Sequence, residues 1–291
     1  MRILLIGAGG QLGSEILRNN PGHEIIAPSR EAFDLERIDQ ALGLAESVRP
    51  DMLVNCAAFH NVPLCENAGE QAFRVNCLSV RDLARACQRM RVRFVTFSSD
   101  YVFGGEKRTP YAEDDRPMPL QVYGLTRLAG EYAALWEAPD QAFVIRTCGL
   151  YGVRHTQSKG DNFVDKRVAE AASATTMEIA SDQTVSPTSA DDLSKALFQL
   201  LALSDAKPGV YHLVSEGQCT WYEFTRAIFD VLGLAVDLRP VDRGGRTGSM
   251  RRPAYSALAN TRGRELGIVL APWRDALARY LVRKHGALLA S

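Results

Sequence analysis

The chain runs to 291 residues, with 34 basic and 34 acidic side chains and a formal net charge of zero. That length suits one large or two modest domains of roughly 100–200 residues each, and the charge balance, with no lysine or arginine run, argues against nucleic acid as a partner. The cysteines (Cys56, Cys65, Cys77, Cys87, Cys148 and Cys219) form no C-x-x-C pair and have no histidine at ligand spacing, so no metal is expected and reduced thiols of a cytoplasmic protein are the simplest reading.

The opening apolar run, Ile3-Leu4-Leu5-Ile6, is too short for a signal-peptide core or a membrane span, and no later stretch is long enough. A soluble protein with no membrane partner is expected. Five apolar runs read as strands: Arg2–Ile6, Glu24–Ala27, Met52–Asn55, Arg93–Phe97 and Phe143–Arg146. Amphipathic stretches between them, Gln11–Arg18, Arg37–Ser47, Gly69–Met90 and Gln121–Trp136, read as helices. Strands alternating with helices predict an α/β fold with a doubly wound parallel sheet.

Beyond Gly149 the rhythm loosens. Asn162–Ala172, Ser189–Leu203, Trp221–Leu232 and Trp273–Lys284 read as helices, Gly209–Leu213 as a strand, and Gly244–Ser249 as a flexible loop. The expected division is a dinucleotide-binding domain over 1–148 and a smaller α/β substrate part over 149–291, with segments around 178–208 returning to the first domain. A ligand is expected in the cleft between them.

The first strand runs into Gly7-Ala8-Gly9-Gly10-Gln11-Leu12-Gly13 and then a helix, so glycines at 7, 10 and 13 give G-x-x-G-x-x-G. One glycine permits the sharp turn, another lets backbone approach a pyrophosphate, and the last lets helix and strand pack closely. The pyrophosphate is then held at a helix N-terminus. Asp34 lies about 20 residues on, where an acid would read the ribose of NAD(H). Arg30 lies nearer the strand end and could pair with the 2′-phosphate of NADP(H), which is therefore favoured.

The fourth strand ends in Ser98-Ser99-Asp100-Tyr101, and reactive side chains belong at the carboxyl ends of strands in this fold. Tyr123 follows 24 residues after Ser99, and Arg127 is one helical turn beyond it, on the same face. A phenol, a hydroxyl and a cation suit carbonyl reduction: the phenol protonates the developing alkoxide and the hydroxyl hydrogen-bonds the same oxygen. A free tyrosine has a pKa near ~10, so a neighbouring cation is expected to lower it. His212 and Trp221-Tyr222 read as core, and Glu113-Asp114-Asp115 as a solvated loop.

Over nearly its whole length the chain resembles the extended short-chain dehydrogenase/reductase family, in its sugar-nucleotide reductase branch. The resemblance rests on Ile6–Gly13, Val54-Asn55-Cys56-Ala57-Ala58-Phe59, Val75-Asn76, Ser98-Ser99-Asp100-Tyr101-Val102-Phe103 and Leu128-Ala129-Gly130-Glu131. In the second half it rests on Arg146-Thr147, Asn162-Phe163, Asp182-Gln183, Ser186-Pro187-Thr188, Trp221-Tyr222-Glu223-Phe224 and Arg252-Pro253-Ala254-Tyr255-Ser256. It implies catalysis by Ser99, Tyr123 and Arg127. It implies cofactor contacts from Gly7, Gly10, Gln11, Leu12, Gly13, Arg30, Asp34, Leu35, Ala57, Ala58, Phe59, Asn76, Ser98, Tyr123 and Arg127. Substrate contacts are implied for His60, Val62, Asp100, Tyr101, Asn162 and Arg252.

The substrate so implied is a nucleotide-linked 4-keto-6-deoxy sugar, dTDP-4-dehydro-L-rhamnose first; a homodimer is compatible with the sequence. Three departures from the family pattern stand out. Arg127 replaces a lysine, Gly149 a frequent tryptophan, and Asn61-Val62-Pro63-Leu64 a segment with an aspartate and a basic residue. They leave two competing readings open: a reductase of a different keto sugar, and a non-catalytic dinucleotide-binding regulatory chain.

Overall fold

Alternation inside the first strand decides how the chain layers. In the computed structural model, which describes residues 1–154, 160–247 and 250–289, Arg2–Ile6 forms β1. Successive strand side chains point to opposite faces, so Ile3 and Leu5 enter one core while Leu4 and Ile6 enter another. An unbroken apolar strand of this kind needs cover on both faces. Helices supply it.

The first half continues through α1 (Gln11–Arg18), β2 (Glu24–Ile26), α2 (Ile38–Val48), β3 (Met52–Asn55), α3 (Val62–Asn67), α4 (Gly69–Phe73), α5 (Ser79–Met90), β4 (Arg93–Ser99), α6 (Val122–Glu137) and β5 (Ala142–Thr147). The second contains α7 (Phe163–Ala171), β6 (Thr176–Ala180), β7 (Thr184–Val185), α8 (Ala190–Ala202), β8 (Gly209–His212), β9 (Cys219–Thr220) and α9 (Trp221–Leu232). It ends with β10 (Asp237–Val241), β11 (Arg246–Thr247), β12 (Met250–Arg251), α10 (Thr261–Glu265) and α11 (Trp273–His285).

Six strands form the central sheet in the order β2-β1-β3-β4-β5-β8, and every pairing in it is parallel. This is the expected doubly wound, Rossmann-type sheet. The order reverses at β1, so a crevice opens beyond the carboxyl ends of β1 and β3, the usual ligand position in such sheets. The second half lends this sheet its sixth strand and also α8, whose Ala190, Leu193, Leu197 and Leu200 join Ile3, Leu5, Leu12 and Ile16 in one core.

The rest of the second half packs its own core from Tyr151, Val164, Phe224, Ile228, Trp273 and Leu281. The parallel pair β6–β10 borders it. Helix α9 starts at a reciprocal capping box between Thr220 and Glu223, which satisfies two backbone donors that a helix start leaves open.

Several local expectations need correction. The helix expected over Gly69–Met90 is split, because a π-helical turn over Arg74–Leu78 stands between α4 and α5. The segment Asn61–Leu64, for which no element was expected, starts helix α3. Asn61 caps it by accepting from the Leu64 amide at 3.3 Å, and Pro63 sits in its first turn, where a missing N–H costs nothing. The expected flexible loop Gly244–Ser249 carries β11, which pairs antiparallel with β12; Gly248 and Ser249 lie outside the described residues. Strands β6, β7, β9 and β10 were not legible, being short or half-exposed. No helix among the described residues is long and apolar enough to cross a membrane.

Candidate active site

The crevice begins at the glycine turn. Gly7 has φ +80°, and a Cβ there would stand 2.8 Å from the Ala57 nitrogen, so β1 and β3 approach through this residue. A Cβ on Gly13 would stand 2.3 Å from the Gly7 carbonyl oxygen, which lets α1 start against the turn. The Gly10 amide donates to the Gly7 carbonyl at 3.1 Å, and no side chain caps α1. Its first-turn amides therefore face the crevice without helical partners. Gln11 and Leu12 are buried, and the Gln11 Oε1 is a buried acceptor with no partner.

The rim beyond β2 is different in character. Asp34 caps the short 3₁₀ turn Leu35–Arg37, accepting from the Glu36 amide at 3.0 Å. Leu35 is buried, and its carbonyl accepts from the Ser79 hydroxyl. Arg30 stays exposed, 3.6 Å from Glu36.

On the other side of the crevice, Asn76 binds three segments together. It accepts from the Phe59 amide at 2.9 Å and donates to the Phe59 carbonyl at 2.9 Å. It also donates to Thr126 Oγ1 at 3.1 Å and accepts from Arg127 Nη1 at 3.3 Å. The π-helical turn holds Asn76 in this position; such turns often occur at functional sites. The Ala57 amide donates to Asn55 Oδ1 at 3.1 Å. His60 Nδ1 lies 3.3 Å from the Ala58 carbonyl. Val62 is buried as the first residue of α3.

Helix α6 starts where Gln121 accepts from the Gly124 amide and Glu66 accepts from the Val122 amide. A Cβ on Gly124 would stand 2.1 Å from the Tyr101 carbonyl oxygen, so the helix start lies directly on the end of β4. Here the predicted trio meets. The Tyr123 phenol lies near Ser99 and in the field of the Arg127 guanidinium. Ser99 donates to Asp100 Oδ1 at 2.9 Å and accepts from the Tyr101 amide at 3.2 Å. Arg127 is buried, with its Nε unpartnered.

The C-terminal part closes over this strand end. Ser256 donates to Asp100 Oδ2 at 2.6 Å, and Arg252 donates to the Tyr101 hydroxyl while its guanidinium covers that ring at 5.8 Å. Tyr101 and Tyr123 meet edge to face at 6.1 Å. Asn162 stands apart from this group. It caps α7 and contacts Gly152, Asp165 and the Tyr280 hydroxyl, and Gly152 backs onto Gln11. Ser256 was missed; its only sequence signal is membership of the Arg252–Ser256 run, since its partner lies 156 residues away.

Electrostatics favour protonated groups here. Burial pushes the Tyr123 phenol up, and Arg127 offsets this only in part, against the lowering expected from sequence. Burial also pushes up Asp100 and Tyr101. An alkoxide is a far stronger base than a phenolate, so a raised phenol still protonates it downhill. Among the described residues, no group of three or more His, Cys, Asp or Glu could hold a metal ion.

The RmlD substrate binding domain family matches residues 1–285. The spore coat polysaccharide biosynthesis protein SpsK of Bacillus subtilis is 34% identical over 288 residues, 98% of this chain and 99% of that protein. The dTDP-4-dehydrorhamnose reductase of Mycolicibacterium smegmatis is 33% identical over 291 residues, 98% of this chain and 86% of that enzyme. Among solved structures, the dTDP-4-dehydrorhamnose reductase of Bacillus anthracis in complex with NADP superposes with a TM-score of 0.90 at 29% identity, covering 97% of this chain and 99% of that one. With the glycine turn and the Ser99–Tyr123–Arg127 group at one crevice, and this match across the two halves of the chain, the protein belongs to the RmlD substrate binding domain family.

Proposed function

We propose that this chain is an NADP(H)-dependent reductase of the 4-keto group of a nucleotide-linked 6-deoxy sugar, with dTDP-4-dehydro-L-rhamnose as the first substrate. The observation that carries this reading is the convergence of Tyr123, Ser99 and Arg127 at the end of β4, beside the glycine turn. The enzymes named above act on that sugar, and one was crystallised with NADP.

The residues present fit the cofactor. A dinucleotide would meet the uncapped start of α1 and the unpartnered buried atoms Gln11 Oε1, Asn55 Nδ2, Ser98 Oγ and Arg127 Nε, groups whose isolation would otherwise cost about 1–3 kcal/mol each. Gly7, Gly10, Gln11, Leu12 and Gly13 would hold its phosphates, and Ala57, Ala58, Phe59, Asn76 and Ser98 would line its far side. Arg30 would pair with a 2′-phosphate. When bound, NADPH supplies a hydride to the carbonyl carbon.

The chain's own part is to hold and protonate. Tyr123 donates its phenolic proton to the carbonyl oxygen, Ser99 orients that oxygen, and Arg127 stabilises the phenolate left behind. Arg252 and Tyr101, tied to each other, form the substrate side of the crevice. In an assay of NADPH oxidation over a panel of nucleotide-linked keto sugars, dTDP-4-dehydro-L-rhamnose should be turned over fastest, yielding the 4-hydroxy sugar. Tight NADPH binding without turnover on any member would overturn the reading in favour of a regulatory role.

A further inference from the structure

Gly149 stands where the chain leaves β5, and what it touches comes from further along the second half. Strand β5 pairs in register with β4, Thr147 beside Ser99, so Gly149 follows closely on the strand end next to Ser99. Its φ is +54°, and a Cβ there would stand 3.2 Å from the Pro187 Cα and 3.3 Å from Trp221 Cη2. Any other residue would be strained in its backbone and pressed against the indole. Glycine lets the Trp221 ring come up to the backbone at the end of β5.

Short segments fix the ring there. Trp221 is the first residue of α9, whose start is set by the Thr220–Glu223 capping box. Just before it, β9 pairs antiparallel with β7. Strand β7 is bonded in turn to the Arg252–Ser256 run. The Thr184 amide donates to the Ala254 carbonyl at 2.9 Å, and the Ser256 amide to the Thr184 carbonyl at 2.8 Å. Ser256 is the residue that holds Asp100, next to Ser99. Phe163 packs against the indole, with ring centroids 4.4 Å apart. The ring also joins two clusters: the core of the C-terminal part, and the group of Val102, Cys148 and Tyr255 near the ends of β4 and β5.

A tryptophan used only for packing is sealed, and its N–H finds a partner. Trp221 is half-buried, and its indole N–H makes no hydrogen bond among the described residues. An aromatic ring with an unspent donor suits a deoxy sugar, whose C–H face and C6 methyl are apolar and whose oxygens accept hydrogen bonds. We propose that Trp221 is a specificity-determining residue: its indole packs on the apolar face of the sugar and its N–H donates to a sugar oxygen. The inference rests on the reductase reading and deepens it, since the glycine turn would read the cofactor and Trp221 the sugar.

Calorimetry on the full chain with NADPH present tests this. The product of the proposed reaction, dTDP-L-rhamnose, should bind more tightly than dTDP, which has no sugar for the indole to hold. Trp221→Leu should cut that difference about tenfold and leave the affinities for dTDP and NADPH unchanged. Trp221→Phe keeps a ring without the N–H and should restore part of it. Equal affinities in the wild-type chain, a difference that survives Trp221→Leu, or a loss shared equally by dTDP would overturn the inference and leave the reductase reading standing. Where Trp221→Leu does not fold, fluorescence decides: dTDP-L-rhamnose should quench indole emission more than dTDP does, and Trp221→Phe should abolish the excess. The other tryptophans, Trp136 at the end of α6 and Trp273 in the C-terminal core, lie in other elements; persistence of the excess would overturn the inference. A wild-type chain that binds NADPH but neither dTDP nor dTDP-L-rhamnose would instead overturn the reductase reading.

Discussion

Helix α6 supports two buried polar regions that differ in one respect. Tyr123, Arg127 and Glu131 follow at intervals of four, on one helical face. At the Glu131 end the buried charges are paired. Arg146 donates to Glu131 from Nε at 3.0 Å and from Nη2 at 2.7 Å, and from Nη1 to the Glu113 carbonyl at 3.3 Å. His212 Nδ1 lies 3.1 Å from two carbonyls, of Tyr111 and Ala259, so it carries the hydrogen, and Nε2 faces Arg146. At the Tyr123 end, Arg127 Nε, Ser98 Oγ and Thr147 Oγ1 are buried without partners. The paired region ties α6, β5 and β8 into one body. Under the proposed reading, the open region keeps its bonding capacity for what enters the crevice. Buried polarity by itself marks neither role; what separates them is that Arg146 is paired with a carboxylate, whereas Arg127 is bound by the Asn76 amide oxygen.

Substitutions at the two ends should therefore separate activity from stability. Tyr123→Phe should lower kcat about 10³-fold while calorimetry shows unchanged NADPH affinity and the melting temperature stays put; a wild-type rate would remove the proposed acid. Glu131→Ala leaves Arg146 buried and unpaired, at a cost of about 3–5 kcal/mol, measured by denaturant titration. Stability close to wild type would erase the contrast.

The paired end also carries a pH signature. Burial, and secondarily Arg146, push His212 down to about 3, whereas an unfolded histidine titrates near ~6.5. The unfolded chain then binds the extra proton first, so stability is full above that value and declines as pH falls towards 3. His212→Gln should flatten that slope in melting curves taken across the interval; an unchanged slope would assign it elsewhere. Smallest is the effect at the crevice rim. Arg30→Ala should weaken NADPH about tenfold, as loss of one charge-assisted contact does, and leave NADH unchanged.

The first half was readable because its signals are local. The apolar runs of β1, β3, β4 and β5, the amphipathic helices between them and the glycine turn each lie within a few residues, and period and spacing report them directly. Asp34 shows where such reading stops. Its distance from the glycines suits a ribose contact, yet its carboxylate caps the turn at Leu35–Arg37, a use that depends on where the chain bends. Asn76 was recognisable as a residue, but its four hydrogen bonds depend on a π-helical turn that no periodicity reveals.

By itself, then, the order of residues determined the parallel sheet, the glycine turn and the candidates for the proposed trio, because backbone geometry and side-chain period act over short stretches. Tertiary structure alone decided that Ser256 would hold Asp100 and that β8 would complete the first sheet. It also decided that Tyr123 would be held above its ordinary proton affinity. Each of these follows from desolvation or from contacts between segments far apart in the chain, and none is written in any local pattern.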